Sequence, residues 1–164
     1  QTATIQVAAG TYAEVVDVSG FSGGDIVIAG VVGAAVNING LIVESCNVLI
    51  DGINLNVGSS GIFVGPKGLL FSATSNIAVS GAEEAVTLRY GGKLEVTKVL
   101  TINNAMRALQ VQYNAEASVA TLAGTGNSIG IYAYNSTVYV SALQLTAIAR
   151  IVNENSTVLT RGIS

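Results

Sequence analysis

The chain has no histidine and only one cysteine, one proline and one methionine, and Asp, Glu, Lys and Arg together make up 10% of its 164 residues. Without histidine there is no imidazole base for a nucleophilic triad. Cys46, being alone, excludes an internal disulfide and a cysteine-based zinc cage, and it reads as a small buried hydrophobe. An average soluble domain is about one quarter charged. A chain this poor in charge and proline, and rich in Val, Ile, Ala and 19 Gly, points to regular β-structure with many tight turns.

Positive charge is also scarce. Seven Lys and Arg against ten Asp and Glu give a net charge of −3 and a pI near 4.7, which leaves no basic field for nucleic acid or anionic lipid. Mean hydropathy is high at +0.58, yet no uninterrupted apolar run approaches the ~20 residues that would span a bilayer, so membrane insertion is not expected. The hydrophobicity is spread evenly, as in stacked buried strands. One domain, 1–164, is expected, and the opening at Gln1 and the ending RGIS read as those of a piece of a longer chain.

What the chain does have is a repeated phrase. DIVIAG at 25–30, NVLIDG at 47–52 and NIAVSG at 76–81 each run polar, apolar, any, apolar, any, Gly, and VLTINN at 99–104 continues the series more weakly. Two further registers run beside it. In one, Val86 and Leu88 correspond to Leu109 and Val111, then to Ile129 and Ile131, then to Ile151; in the other, Leu94 and Val96 correspond to Ala117 and Val119, Val138 and Val140, and Val158. Side chains alternate along a strand, so Ile26, Ile28, Val48, Ile50, Ile77, Val79, Leu100 and Ile102 are expected to stack inside. A 20- to 29-residue period holding three short strands predicts an all-β fold, a parallel β-helix of about seven coils. Gly30, Gly52, Gly81 and Asn104 fall where the chain must bend. GSSG at 58–61 and GPKG at 65–68 lie in the longest gap and are expected to be loops pushed out of a coil.

TIQVAAGTYAEVVDV at 4–18, with its strand, Gly-Thr-Tyr corner and second strand, and NVLIDGINL at 47–55 resemble the right-handed parallel β-helix proteins of the pectate lyase-like superfamily. The resemblance covers most of the chain as a fold pattern and implies right-handed coiling. That superfamily includes polysaccharide lyases, glycoside hydrolases and phage tailspikes or tail fibres. Fold alone does not choose among them.

Enzyme chemistry finds little to work with. Glycoside hydrolysis uses two carboxyl groups roughly 5 to 9.5 Å apart. Of the ten acids only Glu83 and Glu84 are adjacent, in a turn after Gly81, and AEEAV aligns with AMRAL so that Glu84 faces Arg107 one coil on. An ion pair across neighbouring coils is the plainer reading, and no catalytic residue is assigned. No stretch supplies the carboxylate cluster of a calcium site, so no metal or cofactor is expected. The NST sequences at 135–137 and 155–157 match the glycosylation pattern, but their 20-residue spacing is one coil, so repeated turn chemistry accounts for them.

The aromatic residues carry more. Tyr90, Tyr113 and Tyr134 fall just after the second strand of successive coils, with Tyr132, Arg89 and Gln112 beside them. They are expected to form an external aromatic ladder with polar tips, a surface suited to sugar rings or protein partners. Val27, Leu49, Ala78, Ala123, Tyr139 and Leu159 are expected to point outward, and lateral association would cover so apolar an exterior. We take Val27, Leu49, Tyr139 and Leu159 as candidate oligomer-interface positions. The resemblance implies a homotrimer in a virion tail that contacts host cell-surface polysaccharide. The alternatives are a polysaccharide-degrading β-helix whose carboxylates lie elsewhere, and a bacterial surface adhesin.

Overall fold

The computed structural model describes residues 2–21 and 24–161. It is a parallel β-solenoid of about seven turns with no helix among the described residues. Coil 1 holds β1 (Thr2–Gln6) and β2 (Gly10–Ser19); coil 2 holds β3 (Asp25–Ala29) and β4 (Ala35–Glu44). Coil 3 holds β5 (Asn47–Asp51) and β6 (Asn54–Val64), and coil 4 holds β7 (Leu69–Ser72), β8 (Ile77–Ser80) and β9 (Glu84–Leu88). Coil 5 consists of β10 (Lys93–Asn103) and β11 (Arg107–Gln112), coil 6 of β12 (Glu116–Tyr134) and coil 7 of β13 (Thr137–Glu154), with β14 (Thr157–Thr160) opening the next turn.

Parallel pairing sorts these strands into three walls. Wall A stacks β1, β3, β5, β7, the start of β10, β12 and β13, and then β14. Wall B runs from the start of β2, β4 and β6 through β8 to the end of β10 and the middles of β12 and β13. Wall C joins the ends of β2, β4 and β6 to β9, β11 and the ends of β12 and β13. In coils 6 and 7 the three short strands expected from the sequence merge into one continuous element, because pairing persists through bulges at the corners.

The first two copies of the repeated phrase sit where the pattern places them, with Asp25 on Asn47, Ile26 on Val48 and Ile28 on Ile50 in wall A. The third does not. Ile77 and Val79 of NIAVSG stack on Leu55 and Val57 and beneath Leu100 and Ile102 in wall B. The wall-A strand above NVLID is LLFS, Leu70 on Val48. Along wall A the coils therefore advance by 20 to 24 residues, 20 from Thr137 to Thr157 and 24 from Leu69 to Lys93, and the 29-residue gap is a change of wall. Any inward-outward-inward strand followed by a bend spells that phrase, so two walls share it.

The same correction applies to three other expectations. GSSG is part of β6, with Gly61 on Gly40, and GPKG is the corner between walls C and A, tied down by Ser45 N–H donating to the Pro66 carbonyl at 3.0 Å. GPKG is not an extruded loop, and GSSG departs from the strand only as a bulge, residues 58–60 standing opposite Asn39 alone. Gly-Thr-Tyr at 10–12 is a wall-B strand on Val36, Asn37 and Ile38, and the corner precedes it. In wall C it is Ile131 that pairs with Leu109, and Ala133 with Val111, so Ile129 faces Arg107. Ala133 is buried and weakly hydrophobic, which hides the register when only large residues are compared.

The inward rows form one continuous core. Val48, Ile50, Leu70, Leu94, Val96, Ala117, Val119, Val138 and Val140 of wall A meet Ile77, Val79, Leu100, Ile102, Leu122 and Leu143 of wall B, all nearly or wholly buried. Each large aliphatic side chain buried this way contributes ~1.5–3 kcal/mol, and no coil can bury its own without a neighbour. Coil 1 shows the consequence. Ile5 and Tyr12, which stack on Ile28 and Ile38, remain exposed and line an apolar depression of about 450 Å³. Gly52, Gly81 and Asn104 turn their corners with φ of 73°, 76° and 56°. Cys46 is buried and its thiol donates to the Val18 carbonyl at 3.1 Å.

Candidate functional site

The corner between walls C and A is chemically unlike the other two. Of eight non-glycine residues with positive φ among the described residues, seven lie there, one or two per coil from coil 2 to coil 7: Ser45, Lys67, Tyr90, Tyr113, Asn114, Asn135 and Asn155. Asn tolerates the left-handed region, but a tyrosine there is a conformational outlier. Tyr90 and Tyr113 are held in it at φ 55° and 56°. Backbone bonds between coils fix them, Gly91 N–H to the Tyr113 carbonyl at 3.2 Å and Tyr113 N–H to the Tyr134 carbonyl at 3.1 Å.

The expected tyrosine ladder is present. Tyr90 and Tyr113 are stacked, with centroids 5.0 Å apart and planes 8° from parallel, and Tyr134 meets Tyr113 edge-on at 5.6 Å and 75°. Tyr90 is 59% and Tyr113 40% exposed, and none of these three hydroxyls has a hydrogen-bond partner among the described residues. Beside the ladder the exposed amides of Asn114, Asn135 and Asn155 rise one coil at a time, also without side-chain partners. With Tyr113, Glu116 and Thr137 they border an open depression of about 520 Å³. The asparagines were not singled out from the sequence as a site, although the NST spacing marked two of them. Only the corner geometry turns repeated turn chemistry into a row of free amides.

Arg89, Gln112 and Tyr132 belong to a polar network on the outer side of wall C. Glu84 takes Arg107 Nη1 at 2.9 Å and Arg89 Nη2 at 3.3 Å on separate oxygens, so the expected Glu84–Arg107 pair is present with a second arginine on the same carboxylate. Arg89 Nε donates to Gln112 Oε1 at 3.0 Å. Gln110, buried beneath, donates its amide nitrogen to Gln112 Oε1 at 2.9 Å; with the amide turned over, the nitrogen faces Glu84 Oε1 at 3.2 Å and the oxygen Arg89 Nη2 at 2.9 Å. Arg107 also lies over the Tyr132 ring, 5.6 Å from its centroid, a cation–π contact that holds the ring to the network. The Arg107 Nε is buried without a partner.

The four interface candidates fall on one line. Val27, Leu49, Phe71, Glu95, Ser118, Tyr139 and Leu159 are successive outward positions of wall A. Val27 and Leu49 are half-buried, and Tyr139 and Leu159 are 41% and 56% exposed. Phe71 completes the apolar stretch, and Glu95 and Ser118 interrupt the row. Among the described residues, no group of three or more Asp, Glu or Cys side chains is arranged to hold a metal ion. Comparison with protein-family models, with curated proteins and with solved structures found no match to this chain.

Proposed function

We propose that this solenoid is a rigid adhesive rod, a segment of a phage tail fibre or tailspike of the pectate lyase-like kind, which offers its C-to-A corner to a host-surface glycan. The observation that carries this reading is the pair of tyrosines held in left-handed backbone next to three unpartnered amides. Backbone strain of this kind costs on the order of 1–3 kcal/mol per residue and persists where surrounding structure enforces it, commonly at binding sites. Amides both donate and accept, and tyrosines add ring edges and hydroxyls, which together suit a polyhydroxylated ring.

Lateral assembly is part of the same proposal. The apolar line from Val27 through Leu49 to Phe71, with Tyr139 and Leu159 farther along, supports a parallel homotrimer whose subunits meet on wall A. Its place would be the virion tail. A surface adhesin built on the same rod would work as a monomer, so mass in solution separates the two.

The test is a panel of purified bacterial capsule and lipopolysaccharide preparations, with binding measured for the chain and for a triple variant, Asn114→Gly, Asn135→Gly and Asn155→Gly. Glycine keeps the left-handed corner and removes the amides. The expected result is binding to a subset of the panel, weakened at least tenfold in the variant with thermal stability nearly unchanged. Binding to none of the panel, or release of cleaved saccharide by the unmodified chain, would overturn the reading of a noncatalytic glycan-binding rod.

A further inference from the structure

We propose that an open depression on wall C, formed by coils 3 and 4, is a second saccharide site that grips a sugar ring through two neighbouring hydroxyls. The proposal rests on the reading of the chain as a glycan binder, but it concerns other residues. The depression measures about 390 Å³ and is bordered by Ser59, Ser60, Phe63, Glu83, Glu84 and Arg89.

Glu84 is spent on Arg107, Arg89 and the Thr87 hydroxyl, but four other polar groups have capacity left over. Glu83 is exposed and its carboxylate has no partner among the described residues. Arg89 is anchored by Gln112 through Nε and by Glu84 through Nη2, which leaves Nη1 unspent and the guanidinium fixed in place. Asn39 Nδ2 donates to Ser60 Oγ at 3.1 Å, so the Ser60 proton is free to donate outward; Ser59 Oγ donates to Asn39 Oδ1 at 3.3 Å, so its lone pairs are free to accept. Phe63 supplies an apolar wall from the coil below.

The ligand chemistry follows from that mixture. An anion would meet the unpaired carboxylate of Glu83, and a cation would meet Arg89, so neither sign is welcomed alone. A neutral group that donates to a carboxylate while accepting from a guanidinium satisfies both, and adjacent hydroxyls on a ring do this together. The C–H face of the same ring can lie against Phe63. Glu84 belongs to this site as a positioning residue, because it aims Arg89.

Amide-resolved NMR titration tests the site, using methyl mannopyranoside, methyl galactopyranoside and methyl glucopyranoside as probes, with N-acetyl-lysine amide as a cationic control. At least one sugar is expected to shift the amides of 59–63 and 83–89, and Glu83→Ala is expected to weaken that binding about tenfold, the loss of one charge-assisted hydrogen bond. Glu83 is exposed and carries no fold contact through its side chain, so the variant should keep its melting temperature. Shifts confined to the amides around Tyr113, Asn135 and Asn155 would overturn this site and leave the corner reading standing. An absence of sugar-induced shifts in these segments, indifference to Glu83→Ala, or stronger shifts from the lysine control would each overturn it as well.

Discussion

Walls A and C are built on the same interior and present opposite exteriors. Inside, both stack aliphatic side chains coil upon coil, Val48 under Leu70 in one and Val86 under Leu109 in the other. Outside, wall A carries Val27, Leu49 and Phe71 in line, with a single surface ion pair of Lys93 and Glu116 at 3.4 Å. Wall C at coils 4–6 carries a network in which one carboxylate holds two guanidiniums. The inward rows tolerate a polar group only where it finds a partner, as buried Ser72 does by donating to the Ser75 carbonyl at 2.9 Å. Outward rows are free of that constraint and differ, wall A carrying an apolar stretch and wall C polar and aromatic side chains.

The strongest test of this contrast uses two adjacent residues of one strand. Ile50 is fully buried and Leu49 points outward from wall A. Ile50→Ala is expected to cost ~2–5 kcal/mol, visible as a melting temperature lower by roughly 5–15 °C for a domain of this size. Leu49→Ser should change the stability of an isolated subunit by less than ~0.5 kcal/mol. It should instead shift sedimentation toward smaller species if wall A mediates assembly. Equal effects of the two substitutions on melting would break the distinction between inner and outer rows.

A smaller effect is expected on wall C. Glu84→Ala leaves both arginines without their shared carboxylate, and since the groups are about one third exposed, the expected loss is on the order of 1 kcal/mol. Released Arg107 should also let Tyr132 reorient, which near-ultraviolet circular dichroism would register. No change in either measurement would show the network to be incidental to the fold.

The smallest effect concerns the corner joining the two walls, where burial raises the Cys46 thiol above its ordinary value. Folding thus favours the neutral thiol. Its contribution is intact below the unfolded thiol's pKa of ~8.5 and declines as pH rises toward the folded value. The native thiol should resist an aromatic disulfide reagent at pH 8 and react fully on unfolding, and Cys46→Ala should lose less stability than the unmodified chain between pH 9 and 11. Rapid labelling of the native state would show that the corner opens.

Much of the fold was legible because solenoid packing writes itself into sequence period. The register of Leu94, Ala117, Val138 and Val158 could be read directly, since large or medium apolar residues recur at near-constant spacing. NIAVSG misled because it spells a strand and bend equally well in wall B. The tyrosine ladder was legible from the spacing of Tyr90, Tyr113 and Tyr134, and so was the pairing of Glu84 with Arg107. The depression at Phe63 and Glu83 was not, because its residues come from different coils and no spacing joins them.

By itself, then, the sequence determined a stacked all-β chain, its approximate number of coils and which residues face inward, because alternation and burial act locally and repeat. Tertiary structure alone decided which wall each strand joins, that seven left-handed non-glycine residues share one corner, and that Arg89 leaves Glu83 unpaired. Those outcomes depend on contacts between coils some 20 residues apart, whose geometry is set by stacking at ~4.8 Å rather than by any local preference.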